Sequence, residues 1–431
     1  MKVCQLKVLA DLHLHTKWAR ATSKHMDIQN LSKFGKIKGL NLLGTGDFTH
    51  PKQLRDIKEK LEPLGDSGLY EYNGMNFMLT TEVATFYFQD KKSRRIHHLL
   101  HVPEIDMIDQ LVDVLTKKGA NTGIDGRMAM KISSPELVEI LREISKDINV
   151  VPAHIWTPWF GVLGSKTGFD SVDECYQDQT KYVHAVETGL SSDPPMNWMV
   201  SALDKFTLMS NSDSHSPWTW RLGRECNVFN LKKMDYFDLW KAVKNKDKSK
   251  FLYTVEVDPN YGKYHFSGHR SCKFSCGPKE STKLKGICPV CKKQMTIGVL
   301  ERLDELADRP DGFRPRDAID FKSLLPAYEI ISFVTGTKTL YSKKVQNELD
   351  KLLDKFGTEL DILLNVEKDD LLKVTSEKIA ESIIAVRDGK VKYIPGYDGV
   401  YGEPIFGDAK IKNEKTNKKT PQKTLMDFKG L

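Results

Sequence analysis

No run of about eighteen apolar residues occurs anywhere in the chain, so no membrane-spanning helix is expected. A signal peptide is also missing: the opening MKVCQLKVLADLH runs straight into polar residues, in the manner of a first strand. A cytoplasmic location is the expectation. Neither sign of charge is in marked excess, and a net +7 permits an anionic partner without demanding one. Cysteine is scarce. Cys272, Cys276, Cys288 and Cys291 crowd together, while Cys4, Cys175 and Cys226 stand apart. A secreted disulfide scaffold would spread its cysteines, so this clustering points to metal. Histidine is absent beyond His269, which keeps any imidazole chemistry in the first two thirds of the 431 residues.

What is present is an alternation. The segments QLKVLADLH, NLLGTGDF, NFMLTTEVATFYF, RRIHHLLHV, INVVPAH, HAVETG and FTLMSNSDSH read as strands. Amphipathic helical stretches such as EIDMIDQLVDVLTKKG and SPELVEILREISKD lie between them, the latter opening with a capping Ser, a Pro and a Glu. This is the pattern of an α/β domain over residues 1–230. Residues 231–270 are expected to form a connector, 271–300 a cysteine module, and 301–407 a mainly helical domain. In that last domain, Val345, Leu349, Leu352, Leu353 and Phe356 share one helical face ahead of Gly357. Residues 408–431 are polar and Lys-rich and read as a flexible basic tail.

Nearly every predicted strand ends in His, Asp or Glu, at the end where α/β barrels and sheets carry their chemistry. The first is LADLHLH. Residues two apart on a strand face the same way, so His13 and His15 project side by side. Asp47 and His50 follow in GTGDFTHP, then Glu82, His97 and His98, His154 in VPAHIW, and Asp213 and His215 in NSDSH. Borderline divalent ions take imidazole nitrogen and carboxylate oxygen together, and this many donors implies two or three ions. Such a site suits phosphate-ester hydrolysis. Glu187 and Asp193, in VETGLSSDPP, lie between two of these motifs. Asp193 is a candidate general acid or base near the metals, or simply an Asp shaping a turn before two prolines.

This ordered set resembles the PHP (polymerase and histidinol phosphatase) superfamily of metal-dependent phosphoesterases. GTGDFTHP, PAHIWTPWFGVLGSKTGFDS, VETGLSSDPPMNW, NSDSHSP, LGREC, GKYHFSGHRSC and CPVCKKQMTIGVLERLDELADR resemble, more closely, the archaeal endonuclease Q family of DNA-repair nucleases. The resemblance implies a distorted (β/α)₇ barrel with a multinuclear site of zinc, manganese or magnesium at the strand ends. It implies the ligand set His13, His15, Asp47, His50, Glu82, His97, His154, Asp213 and His215. One departure is that Phe48 and Thr49 separate Asp47 from His50, where the superfamily has the two adjacent. Either or both of these residues therefore remain candidates. His97 and His98 must face opposite ways, and the RRIHHLL frame favours His97.

Cys272-x3-Cys276 and Cys288-x2-Cys291 form a four-thiolate pattern for one structural zinc. Lys273, Lys279, Lys283, Lys285, Lys292 and Lys293 surround it and suit phosphate contacts. Trp156, Trp159 and Phe160, and separately Trp218, Trp220 and Arg221, are candidates for base stacking or for packing. At the end of the chain, Gln422, Leu425 and Phe428 in PQKTLMDFKGL fit a sliding-clamp peptide of the proliferating-cell-nuclear-antigen type, though Lys429 replaces a common second aromatic. The resemblance to the endonuclease Q family implies incision of damaged double-stranded DNA on the 5′ side of hypoxanthine, uracil, xanthine or an abasic site, and the tail motif adds an expected coupling to the clamp. A small-molecule phosphoesterase would leave the cysteine module and tail unexplained, and a non-catalytic clamp-tethered adaptor would have no need of nine competent ligands.

Overall fold

A computed structural model describes residues 5–337 and 342–406. The clamp-type peptide with Gln422, Leu425 and Phe428 lies outside the described residues. Each of the seven segments read as strands contains one: β1 (Leu6–Asp11), β2 (Leu42–Gly44), β3 (Met75–Gln89), β4 (Lys92–Val102), β5 (Asn149–Pro152), β6 (Ala185–Glu187) and β7 (Thr207–Met209). The pairs β1–β2, β2–β3 and β6–β7 are parallel, whereas β3–β4 and β4–β5 are antiparallel. The reversal has a local cause. β3 and β4 are joined by Asp90 and Lys91, both with positive φ (52° and 61°), the turn geometry that returns a chain along itself.

The strands close into a distorted barrel through contacts at their ends. Ile155 N donates to Glu187 O (3.0 Å), joining β5 to β6, and His15 N donates to Ser214 O (3.0 Å), joining β1 to β7. Away from those ends, β8 (Cys226–Leu231) runs antiparallel to β1 and fills the gap. Its Asn227 amide donates to Ala10 O and Ser210 O and so links both sides. β9 (Phe251–Glu256) pairs with β8, and β10 (Asp320–Ser323) pairs with β9. Residues 251–256 are therefore part of the main sheet and not of a connector. Their strand-like alternation is the burial pattern of a strand whose last three residues are buried.

Helices cover the outside. Ile28–Lys38 is capped by Asp27 and ended by Gly39 in the left-handed region (φ 97°). Ser134–Ile144 is capped by Ser133, one residue earlier than the sequence reading, because its hydroxyl and not that of Ser134 reaches Glu136 N. The helices Ala327–Val334, Lys343–Phe356, Glu359–Leu364 and Glu377–Arg387 pack on one another, with Val345, Leu349 and Leu352 buried. No helix of the described residues is long and apolar enough to cross a membrane.

A buried ion pair helps pin the helical unit to the barrel. Lys38 Nζ lies 2.8 Å from Glu359 Oε1 and also donates to Thr219 O (2.8 Å), with both side chains almost wholly buried. Glu359 Oε1 in turn accepts from Ala327 N (3.0 Å). Removing one partner of such a pair strands the other charge in a dry site, at a cost of about 3–5 kcal/mol. Lys38→Met is expected to lower the melting temperature by several degrees and to open the helical unit to limited proteolysis. A melting temperature within a degree of the native value would show that the pair carries no such weight.

Candidate metal centre

The strand ends converge as the alternation requires. Ala84 lies opposite His97 in the β3–β4 ladder and Glu82 opposite Leu99, so Glu82 and His97 share a face as diagonal neighbours. Their side chains meet, with His97 Nδ1 2.7 Å from Glu82 Oε1. His154 Nε2 joins them from the end of β5, 3.1 Å from the same oxygen and 3.3 Å from His97 Nδ1. A second group forms beside the first. Asp213 Oδ1 lies 3.2 Å from His15 Nε2 and 3.6 Å from His13 Nε2. Glu82 connects the two, its Oε1 lying 3.6 Å from His13 Nε2 and its Oε2 3.5 Å from His15 Nε2.

The backbone bends to achieve this. Asp47 (φ 46°), His154 (φ 31°) and Asp213 (φ 46°) all adopt positive φ, which costs an L-residue about 1–2 kcal/mol each. Strain concentrated at three polar residues around one donor cluster marks a functional site.

The donor set fits metal ions. Around a tetrahedral ion with bonds of about 2.0–2.1 Å, neighbouring donors lie about 3.3 Å apart, close to the separations within both groups. His13 Nε2, His15 Nε2 and Glu82 Oε2 are buried with no hydrogen-bond partner among the described residues, and all three face the space between the groups. The opposite ring nitrogens are held. His13 Nδ1 lies 3.0 Å from Glu187 Oε1, and His15 Nδ1 lies 3.1 Å from Asp47 Oδ1. This is the outer layer that sets the tautomer of a metal-binding imidazole. The electrostatics agree. Burial favours the neutral acids, yet His97, His154 and His13 hold Glu82 well below the usual carboxylate range, and His215, His13 and His15 do the same for Asp213. Burial likewise opposes charge on His13, but Glu187, Asp213 and Glu82 push it up to about 9.

Three of the nine expected ligands stand outside the two donor groups. Asp47 has its oxygens committed, one to His15 and the other to Thr16 N (2.5 Å) and Thr16 Oγ1 (2.7 Å). It orients His15. His50 caps the helix Pro51–Lys60, and its ring stacks on Trp18 at 5.4 Å. His215 leans over the His15 ring at 4.6 Å, with Nδ1 on Asp213 O. Between the adjacent histidines the choice is clear: His98 points away, hydrogen bonded to Thr85 Oγ1 (3.0 Å) and the Tyr176 hydroxyl (2.6 Å).

Asp193 is not placed as an acid or base of this cluster. Its carboxylate accepts from Met196 N and caps the helix Pro194–Trp198, the turn-shaping alternative. The neighbouring acid that does reach the site is Glu187, which also accepts from His154 N (2.7 Å) and Asn211 Nδ2 (2.9 Å). Arg127 was not among the candidates, although its Nη1 lies 3.7 Å from Glu82 Oε2. A lone Arg in NTGIDGRM has no spacing signature. Trp156 proves to be core, with Nε1 on Asn197 Oδ1. Phe160 stacks on the His97 ring at 4.2 Å, and Trp159 and Trp218 are half-buried.

The cysteine module requires one correction. The donor atoms within 4.8 Å of one another are those of His269, Cys272, Cys288 and Cys291, without Cys276. His269 Nδ1 lies 3.3 Å from Cys291 Sγ. The turn Arg270–Cys272 brings His269 and Cys272 together at the same x2 spacing as Cys288 and Cys291. Cys276 ends the strand Phe274–Cys276 and is buried in one cluster with Cys288 and Met295, but its sulfur stands outside that close group. Burial opposes ionisation of Cys288, but the Cys291 and Val290 backbone N–H groups help bring its thiol down to about 7. The six lysines around the module are exposed. Zinc content therefore separates the two ligand sets: Cys276→Ser is expected to retain one zinc per module, and Cys291→Ser to lose it. Loss of zinc from the Cys276→Ser protein would restore the four-thiolate assignment.

Residues 326–390 match the family described as the MJ0043 C-terminal domain. The uncharacterized protein MJ0043 of Methanocaldococcus jannaschii is 34% identical over 264 residues, which cover 59% of this chain and 32% of that protein. The chain thus spans about a third of the length of this relative. The crystal structure of the lesion-specific endonuclease PfuEndoQ from Pyrococcus furiosus superposes with a TM-score of 0.83 at 32% identity, covering 95% of this chain and 98% of that one. A complex of endonuclease Q with a 27-mer duplex substrate, which has an abasic lesion at the active site, gives 0.85 at 32% identity and covers 95% of this chain and all of that one. With a shared sequence and fold over almost the whole of both chains, this protein belongs to the endonuclease Q family and is an endonuclease.

Proposed function

We propose that this protein is a DNA-repair nuclease that cuts the backbone on the 5′ side of deaminated bases (hypoxanthine, uracil and xanthine) and of abasic sites. The observation that carries the proposal is Glu82, whose two oxygens face two adjacent donor groups. The likeness to an endonuclease Q complex with an abasic lesion at its active site supports duplex DNA as the substrate. His13, His15 and Asp213 would hold one divalent ion, and Glu82, His97 and His154 the other. Two such ions supply a water nucleophile at neutral pH and neutralise phosphate charge. The chain's own part is to fix the donors: Glu187 and Asp47 hold the Nδ1 atoms of His13 and His15, which turns both Nε2 atoms inward toward the ions they would bind. Water adds to phosphorus and the P–O3′ bond breaks, leaving a 3′-hydroxyl and a 5′-phosphate. Reaching a base lesion requires pulling the nucleotide from the stack, which is cheapest where pairing is already weak.

Asp213→Ala removes one donor of one group and leaves the rest of the surface intact. Nicking of a duplex with a single abasic site or hypoxanthine is expected to fall at least about 100-fold, with duplex affinity changed less than about threefold. Native-like nicking by this variant, or no nicking of any lesion duplex by the native protein, would defeat the proposal.

The tail extends the same function. Gln422, Leu425 and Phe428 would seat in a sliding clamp, tethered by a Lys-rich leader that raises the local concentration of the nuclease on DNA. Truncation after Thr420 is expected to leave nicking in low salt unchanged while abolishing stimulation by the clamp, most visibly at higher salt. Equal stimulation of truncated and intact proteins would make the ending a solvated tail only.

A further inference from the structure

Arg127 stands at the mouth of the metal centre, on the loop between the helix Ile105–Lys117 and the strand Met128–Met130. That loop is held in place from several sides. Gly126 N donates to Trp18 O (3.1 Å), Gly126 O accepts from Thr49 Oγ1 (3.3 Å), and Asp125 Oδ1 accepts from Arg127 N (3.3 Å). Gly126 also presses on the site itself. A Cβ there would lie 2.5 Å from the Asp47 carboxylate, so only glycine lets the loop come this close.

The Arg127 side chain is 26% exposed. Its nearest acids are Glu82 at 3.7 Å and Asp125 at 4.0 Å, beyond hydrogen-bond reach. Among the described residues, the guanidinium has ion-pair neighbours but no hydrogen-bond acceptor. Its charge also acts on Asp213 and Asp47. A structural arginine at this depth normally commits its planar N–H fork to carboxylates or carbonyls, and this one keeps the fork free. Planar forks match phosphate oxygens in pairs.

We propose that Arg127 is a catalytic residue that grips the scissile phosphate and forms a third positive centre beside the two metal-binding groups. The proposal rests on the nuclease reading above. The guanidinium stays protonated throughout. It holds a non-bridging oxygen while water adds to phosphorus, and it remains on the 5′-phosphate once the P–O3′ bond has broken.

The product provides a test in the metal-loaded protein without turnover. Two nicked duplexes carry the same abasic fragment and differ only in ending it with a 5′-phosphate or a 5′-hydroxyl. Native protein is expected to bind the phosphate form at least about tenfold more tightly, and Arg127→Met to lose at least fivefold of that preference. Arg127→Lys should keep part of it. Incision by Arg127→Met should fall about 100-fold, mainly in kcat, with native metal content and melting temperature. A native phosphate preference in Arg127→Met would overturn the proposal. So would loss of bound metal from that variant, because Arg127 would then organise the carboxylates instead of the substrate. Failure of native protein to incise any lesion duplex is a different result, and it would remove the nuclease reading itself.

Discussion

The Glu82 carboxylate is the constraint around which the rest of the site is arranged. A lone ionised carboxylate in a site this dry costs several kcal/mol, so the fold must surround it with positive or polarised groups. It does so with four imidazoles and a guanidinium drawn from four different segments. None of these partners is close to another in the chain, apart from His13 and His15. Each must be delivered by its own strand end or loop, and the distorted barrel is the arrangement that delivers them. With divalent ions in the two donor groups, the same carboxylate becomes an attraction shared between both.

Around that centre lies a layer of polar residues whose role is to orient. Glu187 makes four contacts to His13, His154 and Asn211, and Asp47 ties His15 to Thr16. Such residues hold a metal site open and correctly aimed before any ion or substrate arrives. The Asp11 carboxylate continues the layer outward by accepting from Ser212 N and Gly223 N, which fixes the loop that presents Asp213. Arg224 donates to Ser212 O from the other side and reaches the Tyr401 hydroxyl, so the closing segment of the described chain also bears on this loop.

The outlying units are joined to the barrel by similar polar contacts. Arg302 donates to Leu163 O and Phe169 O, and Ser165 donates to Ile297 O, which sets the cysteine module beside the loop carrying Trp159 and Phe160. Arg221 pairs with Glu329, and Lys38 pairs with Glu359.

The sequence by itself determined the seven barrel strands, because alternation of apolar residues with period two is a local property that survives without knowledge of neighbours. It also determined that His, Asp and Glu gather at strand ends, and hence that the chemistry is metal-dependent. Only the tertiary structure decided the roles within that set. His97 and His98 differ by one residue and by a whole face of the strand. Asp47, a ligand candidate by its position, became the partner of His15 because a positive φ turned its carboxylate toward Thr16. Cys276 gave way to His269 because a tight turn, not the count of thiols, sets which donor atoms converge. Arg127 was invisible in sequence for the same reason. Its importance is its distance from Glu82, and distance between residues 45 positions apart is decided only when the chain has folded.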